Sequence, residues 1–257
     1  MTLRARQLER SLPSGPRVPE GSVVYAVGDV HGRLDLLQAL LGEVAADAAG
    51  RRATRRVLIT LGDYVSRGCD SRGVVELLRS WRPRGFEVVS LRGNHEDLLL
   101  RYLDGDLAAG RHWFDYDGRE ALAHYGVRPG PGCGSMEALR LGFRQALPPE
   151  HLAFFRALPV SHGEGGYHFV HAGVRPGVPL PAQSRHDQMW IRRPFLDSEQ
   201  DHGAVVVHGH SVVREPEVRR NRIGIDTGAY RTGVLTCLAL EGERRWLLQI
   251  GPGGAHG

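Results

Sequence analysis

The feature that most limits how this chain can fold is a unit that occurs three times in its first half. Each unit consists of an apolar run, a Gly-Asp or Gly-Asn turn and a segment with helical periodicity. The apolar runs with their turns are SVVYAVGD, RVLITLGD and FEVVSLRGN. Strands that alternate with helices form parallel sheets through right-handed crossovers. The pattern therefore predicts an α/β fold whose first sheet is buried on both faces.

The second half of the chain is predicted to form a second sheet. Its strands read YHFVHAG, AVVVHGH, RIGID, VLTCLAL and RRWLLQI, and the EGE turn joins the last two as a hairpin. Between the halves, residues 104–158 mix aromatic and charged residues with Gly and Pro. This segment is predicted to be a helical cap insertion over the site, with short helices around 136–146 and 149–157.

The two ends of the chain differ from the segment between them. We expect a single domain over residues 22–250, with a flexible leader at 1–21 and a flexible tail at 251–257. The leader has no apolar region of the kind found in secretory signals, and no stretch approaches the roughly 20 apolar residues that cross a bilayer. The chain is therefore expected to be cytoplasmic and not membrane-bound.

Cysteine and arginine usage exclude two further classes. Cys69, Cys133 and Cys237 lie far apart and form no CxxC pair, so neither a disulfide framework nor a thiolate zinc site is expected. All 33 basic residues are arginines, the net charge is +4, and the arginines are spread along the chain. A spread of this kind is typical of a solvated surface and not of a nucleic-acid-binding stripe.

Metal ligands recur where the predicted strands end. The candidates are Asp29 and His31 in GDVHG, Asp63 in GDYVSRG, Asn94 in GNHE, His171 in FVHAG, and His208 or His210 in VVHGHS. Because the carboxyl ends of parallel strands share one edge of a sheet, we expect these side chains to meet. Asp29 and His31 are two residues apart and can point the same way. Asp63, on the neighbouring strand, is placed to bridge two ions.

The residue types indicate which metals would bind. Asn occurs only at positions 94 and 221, and five of the 13 histidines fall in four strand-end turns, so an incidental grouping is a poor explanation. Mixed carboxylate, imidazole and amide ligands suit Mn, Fe or Zn. Imidazole disfavours Mg and Ca, and the absence of thiolates disfavours a structural zinc site. The other histidines are interpreted as surface or packed residues.

The ordered set GDVHG, GDYVSRG, LRGNHE, HAG and HGHS, together with MWIR and GIDTGA, resembles the bacterial branch of the phosphoprotein phosphatase family of metallophosphoesterases. The resemblance covers roughly residues 22–240. It implies a calcineurin-like sandwich of two mixed β-sheets flanked by helices, with two divalent metals, Mn above all, between the strand ends. The implied ligands are Asp29 and His31 for the first metal, Asp63 as the bridge, and Asn94, His171 and His210 for the second.

The resemblance also implies a mechanism and a substrate class. Arg67, Arg92 and Arg192 match positions that bind phosphoryl oxygens, and His95 matches the general acid. A water activated by both metals would attack phosphorus in line, without a phosphoenzyme. The expected activity is hydrolysis of phosphomonoesters, in a phosphorylated protein or a small phosphorylated molecule, as in serine/threonine or dual-specificity phosphatases.

One position departs from the family pattern. The second motif normally reads Gly-Asp-x-Val-Asp-Arg-Gly, and its second Asp orients the catalytic histidine, but this chain has Ser66 there. A hydroxyl supports an imidazole less than a carboxylate does, so cleavage of poor leaving groups should suffer most. Symmetrical diadenosine tetraphosphate hydrolases also have a small residue here, which keeps hydrolysis of nucleotide polyphosphates open. A catalytically weak phosphoprotein-binding module is a lesser alternative.

Overall fold

A computed structural model of the protein describes residues 3–9, 15–130 and 134–252. Within these ranges the strands are β1 (Leu3–Glu9), β2 (Ser22–Val27), β3 (Arg55–Thr60), β4 (Phe86–Ser90), β5 (Ser161–Glu164), β6 (Tyr167–Val170), β7 (Val205–His208), β8 (Glu217–Val218), β9 (Arg222–Gly224), β10 (Leu235–Glu241) and β11 (Arg244–Pro252). The helices are α1 (Leu34–Ala49), α2 (Ser71–Ser80), α3 (Asn94–Leu103), α4 (Leu107–Phe114), α5 (Gly118–His124), α6 (Met136–Ala146), α7 (Pro149–Ala157), α8 (Arg185–Trp190) and α9 (Ala229–Thr232).

The three strand-turn-helix units of the first half form the parallel part of the first sheet. Its strand order is β1-β11-β10-β2-β3-β4, and the β2-β3 and β3-β4 pairs are parallel, as the sequence predicts. Every residue of β2 is buried, since helices cover one face of this sheet and the second sheet covers the other. The carboxyl ends of β2, β3 and β4 therefore open onto one edge.

The second sheet is smaller than the sequence suggests. Its order is β5-β6-β7-β9-β8, with β6, β7 and β9 parallel. The expectation that the whole second half forms this sheet is wrong for β10 and β11, which join the first sheet. β10 pairs antiparallel with β2, where Cys237 lies opposite Val27. Strands β10 and β11 are buried along most of their length, and this pairing covers what would otherwise be an open edge of β2.

The two sheets pack face to face through an apolar layer. Val24 and Ile59 of the first sheet share this layer with Phe169 and Ile223 of the second. At its margin Arg55 of β3 forms two hydrogen bonds with the carboxylate of Glu164 on β5, at 2.9 and 2.7 Å. The sandwich of two mixed sheets flanked by helices confirms the predicted fold class.

The segment between the two sheets is helical. The predicted helices at 136–146 and 149–157 have these bounds in the structure, as α6 and α7. The insertion also contains α4 and α5, which the sequence reading does not identify. It packs on α3, which begins at the site residue Asn94.

The ends of the chain are more regular than expected. Residues 3–9, predicted to lie in a flexible leader, form β1 and pair along their length with β11. Gly251 and Pro252, predicted to begin the tail, belong to β11, because β1 offers that strand a partner. The other residues of the predicted tail, 253–257, lie outside the described ranges.

Two further expectations concern membranes and cysteines. In the parts of the chain that the structure describes, no helix has the length and apolar character to span a bilayer. Cys69 is exposed, Cys237 is buried, and both are free thiols. Cys133 lies outside the described residues.

Candidate active site

All six predicted metal ligands lie where the strands of the two sheets end, and each is at least nine-tenths buried. They follow β2, β3, β4, β6 and β7: Asp29 and His31, Asp63, Asn94, His171, and His210. Two close groups of possible ligand atoms form among them and their neighbours. One contains His31, Asp63 and His95, and the other contains Asp63, His171 and His210.

Asp63 lies between the two groups. Its Oδ2 is 3.5 Å from Nε2 of His31, and its Oδ1 is 3.4 Å from Nε2 of His171. On the second side, Nε2 of His171 is also 2.9 Å from Oδ1 of Asn94. One carboxylate thus faces nitrogen ligands on both sides, which is the arrangement that a bridging ligand requires.

Backbone carbonyls orient two of these imidazoles. Nδ1 of His31 is 3.0 Å from the carbonyl oxygen of Val65, and Nδ1 of His171 is 2.8 Å from that of Leu61. A carbonyl only accepts, so Nδ1 carries the proton in both rings and Nε2 keeps its lone pair. That lone pair faces Asp63, and this is the tautomer that ligates a metal through Nε2.

Asp29 connects the two halves of the site. Its carboxylate accepts the backbone N–H of His210 at 3.2 and 3.1 Å, although 181 residues separate the two. Gly209 permits this approach, because a Cβ there would collide with Oδ1 of Asp29. The His210 ring lies 5.0 Å from the His171 ring, whereas His208 packs against Phe195. The structure therefore groups His210, and not His208, with the predicted ligands.

Several site residues have left-handed backbone conformations that side chains other than glycine rarely adopt. The φ angles are 44° for His31, 53° for Asp63, 73° for Ser66, 68° for Arg67 and 59° for His210. Each such residue costs about 1 kcal/mol or more, so the surrounding structure must hold it in place. These sharp turns redirect the chain at the strand ends where the proposed ligands lie.

Burial controls the protonation of the cluster. It raises the pKa of Asp63 to about 7, and together with the nearby Asp226 and Asp63 carboxylates it holds the pKa of Asp29 well above its usual range. Burial lowers the pKa of His31 to about 3 and that of His171 to about 4. Neutral imidazoles are the form that binds metals, and crowded carboxylates are stabilised by a cation.

Unpaired polar atoms also fit a metal. Nε2 of His210 and both ring nitrogens of His95 are buried and lack a hydrogen-bond partner among the described residues. Buried polar atoms normally have partners, so these atoms call for a ligand that protein groups do not supply. The donor set accordingly fits the dinuclear centre that the sequence implies.

His95 is close to the cluster, but no carboxylate of the described residues lies within hydrogen-bond distance of its ring. Its Nε2 is 3.8 Å from Oδ2 of Asp63, beyond hydrogen-bond distance. Ser66, which replaces the family aspartate, is fully buried and its Oγ accepts a 3.0 Å hydrogen bond from Nε1 of Trp113. The Ser66 hydroxyl is therefore occupied by an indole from α4.

The three predicted phosphate-binding arginines have different surroundings. Arg67 is partly buried, with its guanidinium 4.6 Å from the centre of the Tyr230 ring, and its charge lowers the pKa of Asp63. Arg192 is exposed, and its Nη1 is 3.4 Å from Oγ of Ser211. Arg92 instead donates to two carbonyls at the end of α7, those of Phe155 and Arg156. The structure thus brings Arg67 near the cluster and ties Arg92 to the insertion.

Sequence reasoning assigned no role to two buried carboxylates at the site. Asp226 lies at the end of β9, and its charge raises the pKa of Asp29. Its motif GIDTGA ends a strand, so the same strand-end rule could have identified it. Glu96 accepts backbone N–H groups of Gly93 and Tyr64 and is fully buried.

Aromatic rings form an arc between His95 and His210. Tyr116 lies 6.0 Å from the His95 ring, His112 lies 5.2 Å from Tyr116, and Trp190 stacks on His112 at 5.3 Å. Trp190 in turn lies 6.3 Å from the His210 ring. We call Tyr116, His112 and Trp190 the aromatic arc. Tyr116 and His112 are exposed, so the arc offers flat surfaces to a ligand.

Comparison with known proteins identifies the family to which the chain belongs. A model of the calcineurin-like phosphoesterase family matches residues 22–232. A symmetrical bis(5'-nucleosyl)-tetraphosphatase from Dechloromonas aromatica is 30% identical over 152 residues, which are 59% of this chain and 44% of that protein. The chain thus spans less than half the length of this curated relative.

Two phosphatases are also similar. Serine/threonine-protein phosphatase 1 of Salmonella typhimurium is 37% identical over 78 residues, which are 30% of this chain and 31% of that protein. The crystal structure of a cold-active protein-tyrosine phosphatase from a Shewanella species superimposes with a TM-score of 0.57 and 19% identity, over 89% of this chain and 80% of that chain. At this identity the superposition supports the fold alone.

Proposed function

The chain belongs to the calcineurin-like phosphoesterase family, whose model matches residues 22–232, and we propose that it is a metal-dependent hydrolase of phosphoanhydride bonds in nucleoside polyphosphates. The surroundings of Ser66 and His95 carry this choice of substrate. The sequence motifs alone favour phosphomonoesters as substrates, with nucleotide polyphosphates as the alternative, so this choice of substrate differs from the one expected from the motifs. The cytoplasmic location stays a prediction.

The proposed metal centre uses the six buried ligands. Asp29 and His31 would hold one ion, Asn94, His171 and His210 the other, and Asp63 would bridge them. Mn is the proposed metal, because imidazole with carboxylate and amide oxygens suits it, as it suits Fe or Zn. Two such ions would lower the pKa of a water and neutralise charge on the phosphoryl group. Arg67 would add a guanidinium fork for the phosphoryl oxygens.

The leaving group distinguishes the possible substrates. Neither ring nitrogen of His95 has a hydrogen-bond partner among the described residues, and the hydroxyl of Ser66, which stands where the family has its aspartate, accepts a hydrogen bond from Trp113. A general acid without a carboxylate to orient it protonates an alkoxide poorly. A nucleotide phosphate leaves as an anion with a pKa of about 6, whereas an alkoxide needs a proton because its pKa is near that of water, about 15.7. An anhydride therefore depends least on His95.

The aromatic arc supports a substrate with a planar base. Exposed Tyr116 lies 6.0 Å from the ring of the proposed acid His95, and exposed His112 lies 5.2 Å beyond it, against Tyr116. Bases stack on such rings with a gain of about 1–3 kcal/mol each. The similarity to a symmetrical bis(5'-nucleosyl)-tetraphosphatase points in the same direction.

Phosphomonoester hydrolysis is the second candidate. The motif GNHE and the match to serine/threonine-protein phosphatase 1 over 78 residues favour it. In this case the substrate would be a phosphorylated protein or a small phosphate ester. Because no described carboxylate orients His95, efficient turnover would then be confined to aryl esters.

The test compares three substrates with metal-stripped protein that is reconstituted with Mn. The substrates are diadenosine tetraphosphate, para-nitrophenyl phosphate and a phosphoserine peptide. We expect the tetraphosphate to give the highest kcat/KM and the peptide the lowest. Asp63→Asn should abolish turnover of all three, whereas Asp97→Asn, the same change at a partly exposed position of α3, should not.

Two outcomes would overturn the proposal. Faster turnover of the peptide than of the tetraphosphate would support the phosphomonoesterase instead. Tight phosphopeptide binding without turnover of any substrate, in wild type that holds two Mn ions, would support the binding module. Metal analysis of wild type and Asp63→Asn accompanies each assay, so that loss of metal is distinguished from loss of chemistry.

A further inference from the structure

The indole of Trp113 makes a buried contact between the helical insertion and the turn that follows β3. Its Nε1 donates a 3.0 Å hydrogen bond to Oγ of Ser66, 47 residues earlier in the chain. Both residues are fully buried. No water can replace either partner without a rearrangement of the core, so the contact is a fixed link between α4 and the turn.

Close packing fixes the position of the indole. The rings of Tyr102 and Phe143 lie 6.2 and 6.1 Å from it. Gly118, at the start of α5, leaves room for it, because a Cβ there would come within 2.6 Å of the ring. Trp113 therefore presents its N–H from a rigid surface and not from a mobile loop.

The turn that receives this hydrogen bond is strained. Ser66 and Arg67 are consecutive residues with φ angles of 73° and 68°, in the left-handed region that favours glycine. The backbone N–H of Ser66 donates to Oγ of Ser71, at the start of α2. With Trp113 this makes two side-chain hydrogen bonds on one residue, and both oppose relaxation of the turn.

Arg67 depends on the geometry of this turn. Its guanidinium lies over the Tyr230 ring at 4.6 Å, and the Tyr230 ring lies 5.3 Å from the ring of the proposed ligand His31. Relaxation of Ser66 and Arg67 to ordinary backbone angles would redirect the Arg67 side chain. The distance between Arg67 and the proposed ligands would then change although no ligand had been altered.

We propose that Trp113 is a positioning residue for Arg67: its indole N–H holds the Ser66 hydroxyl, and this contact keeps the left-handed turn that aims Arg67 at the site. The inference rests on the proposed phosphoesterase function, in which Arg67 binds phosphoryl oxygens. The inference also assigns a role to Ser66: its hydroxyl is the hydrogen-bond acceptor that connects the GDYVSRG motif to the helical insertion.

The test uses Trp113→Phe, which removes the N–H and keeps an aromatic ring, and Ser66→Ala, which removes the acceptor. Trp246→Phe is the matched control, because Trp246 is also buried but its Nε1 has no hydrogen-bond partner among the described residues. The first readout is the dissociation constant of inorganic phosphate for Mn-loaded protein, measured by calorimetry. We expect it to rise about tenfold in Trp113→Phe and in Ser66→Ala, the size of one charge-assisted hydrogen bond. It should stay within twofold in Trp246→Phe.

Double variants separate positioning from general destabilisation. Trp113→Phe combined with Ser66→Ala should bind phosphate no more weakly than either single variant. In an Arg67→Ala background, Trp113→Phe should have no further effect on phosphate binding. Additive losses in either pair, or unchanged phosphate affinity in both single variants, would overturn the proposal. If Trp113→Phe fails to fold, Ser66→Ala with and without Arg67→Ala makes the same comparison.

An NMR readout does not depend on activity. The four tryptophans give four indole N–H signals, and the signal missing in Trp113→Phe identifies Trp113. It should exchange slowly with solvent in wild type and shift in Ser66→Ala, whereas an unshifted signal contradicts the contact. If wild type hydrolyses none of the substrates, the proposed function fails. The phosphate affinities and this signal still decide the role of Trp113.

Discussion

The carboxylate of Glu96 contacts the backbone of Asp63, because its Oε2 accepts the N–H of Asp63 at 2.9 Å. The same carboxylate also accepts the N–H groups of Gly93 at 3.0 Å and Tyr64 at 2.8 Å. The proposed bridging ligand is therefore held by a residue two positions after another proposed ligand, Asn94. Two strand-end turns from neighbouring strands are thus joined by one buried side chain.

Replacing this carboxylate should loosen both turns. Glu96→Gln keeps the size of the side chain. The carboxylate offers two oxygens to the backbone N–H groups, whereas the amide offers only one, and its NH2 group would face backbone donors. We expect a loss of about 1–3 kcal/mol in the free energy of unfolding, because buried donors are left unpaired. Urea denaturation measures the loss. Glu150→Gln, on the exposed side of α7, is the control, and equal stability of the two variants would contradict the assigned role.

A carboxylate at position 66 should change the preference for leaving groups. Ser66→Asp restores the aspartate that, in the family motif, orients the catalytic histidine. Because a carboxylate orients an imidazole and raises its basicity, we expect kcat for a phosphoserine peptide to rise about tenfold, and kcat for diadenosine tetraphosphate to change little. Steady-state rates on both substrates test this. A parallel change on both would show that His95 does not protonate the leaving group.

The aromatic arc should matter only for substrates that carry a base. His112→Ala and Tyr116→Ala are each expected to lower kcat/KM for diadenosine tetraphosphate about tenfold, since one stacked base contributes about 1–3 kcal/mol. Hydrolysis of inorganic tripolyphosphate, which has no ring, should be unaffected. Leu141→Ala is an exposed control on the same insertion. Equal losses on both substrates would mean that the arc supports the site and does not bind the base.

The ion pair between the sheets should give a stability that depends on pH. Hydrogen bonds from Arg55 hold the pKa of Glu164 below its ordinary value of 4.5. Because the pKa of this carboxyl is lower in the folded than in the unfolded protein, the ionised side chain stabilises the fold at pH values above the unfolded pKa. This stabilisation is lost as the pH falls through the folded pKa. Glu164→Gln should therefore cost about 1 kcal/mol at pH 7, and this cost should shrink as the pH falls below 4.5.

Urea denaturation of wild type and Glu164→Gln at pH 7 and at a series of pH values below 4.5 makes this measurement. Glu87→Gln is a suitable control, because Glu87 also pairs with Arg55 but its side chain is 57% exposed. We expect the smaller effect from Glu87. A cost for Glu164→Gln that does not vary with pH would point to packing and not to charge.

Local patterns predicted much of the fold. The parallel units around β2, β3 and β4, and the bounds of α6 and α7, follow from periodicity and turn residues that lie close together in the chain. The strand-end rule also identified residues of both sheets that the structure brings together, the proposed ligands. Asp226 follows a strand in the same way, so its place at the site is predictable from the same signal.

Contacts between distant segments were not predictable in this way. Nothing near β10 in the chain indicates that it pairs with β2, and nothing in the leader indicates that β1 pairs with β11. The same holds for Trp113, whose buried position depends on how the insertion docks. The phosphate-binding role of Arg92 stays a prediction, and its hydrogen bonds to carbonyls at the end of α7 are contacts that its motif position does not indicate. Side-chain direction is decided by packing that periodicity does not describe.

The order of strands in the first sheet has a consequence for synthesis on the ribosome. β2 is made early, but its antiparallel partner β10 follows about two hundred residues later, since the pair joins Val27 to Cys237. Until then a nascent chain has an apolar strand with an open edge, and such edges pair readily with other chains. The growing polypeptide therefore has most need of a chaperone in the interval before the hairpin of β10 and β11 leaves the exit tunnel.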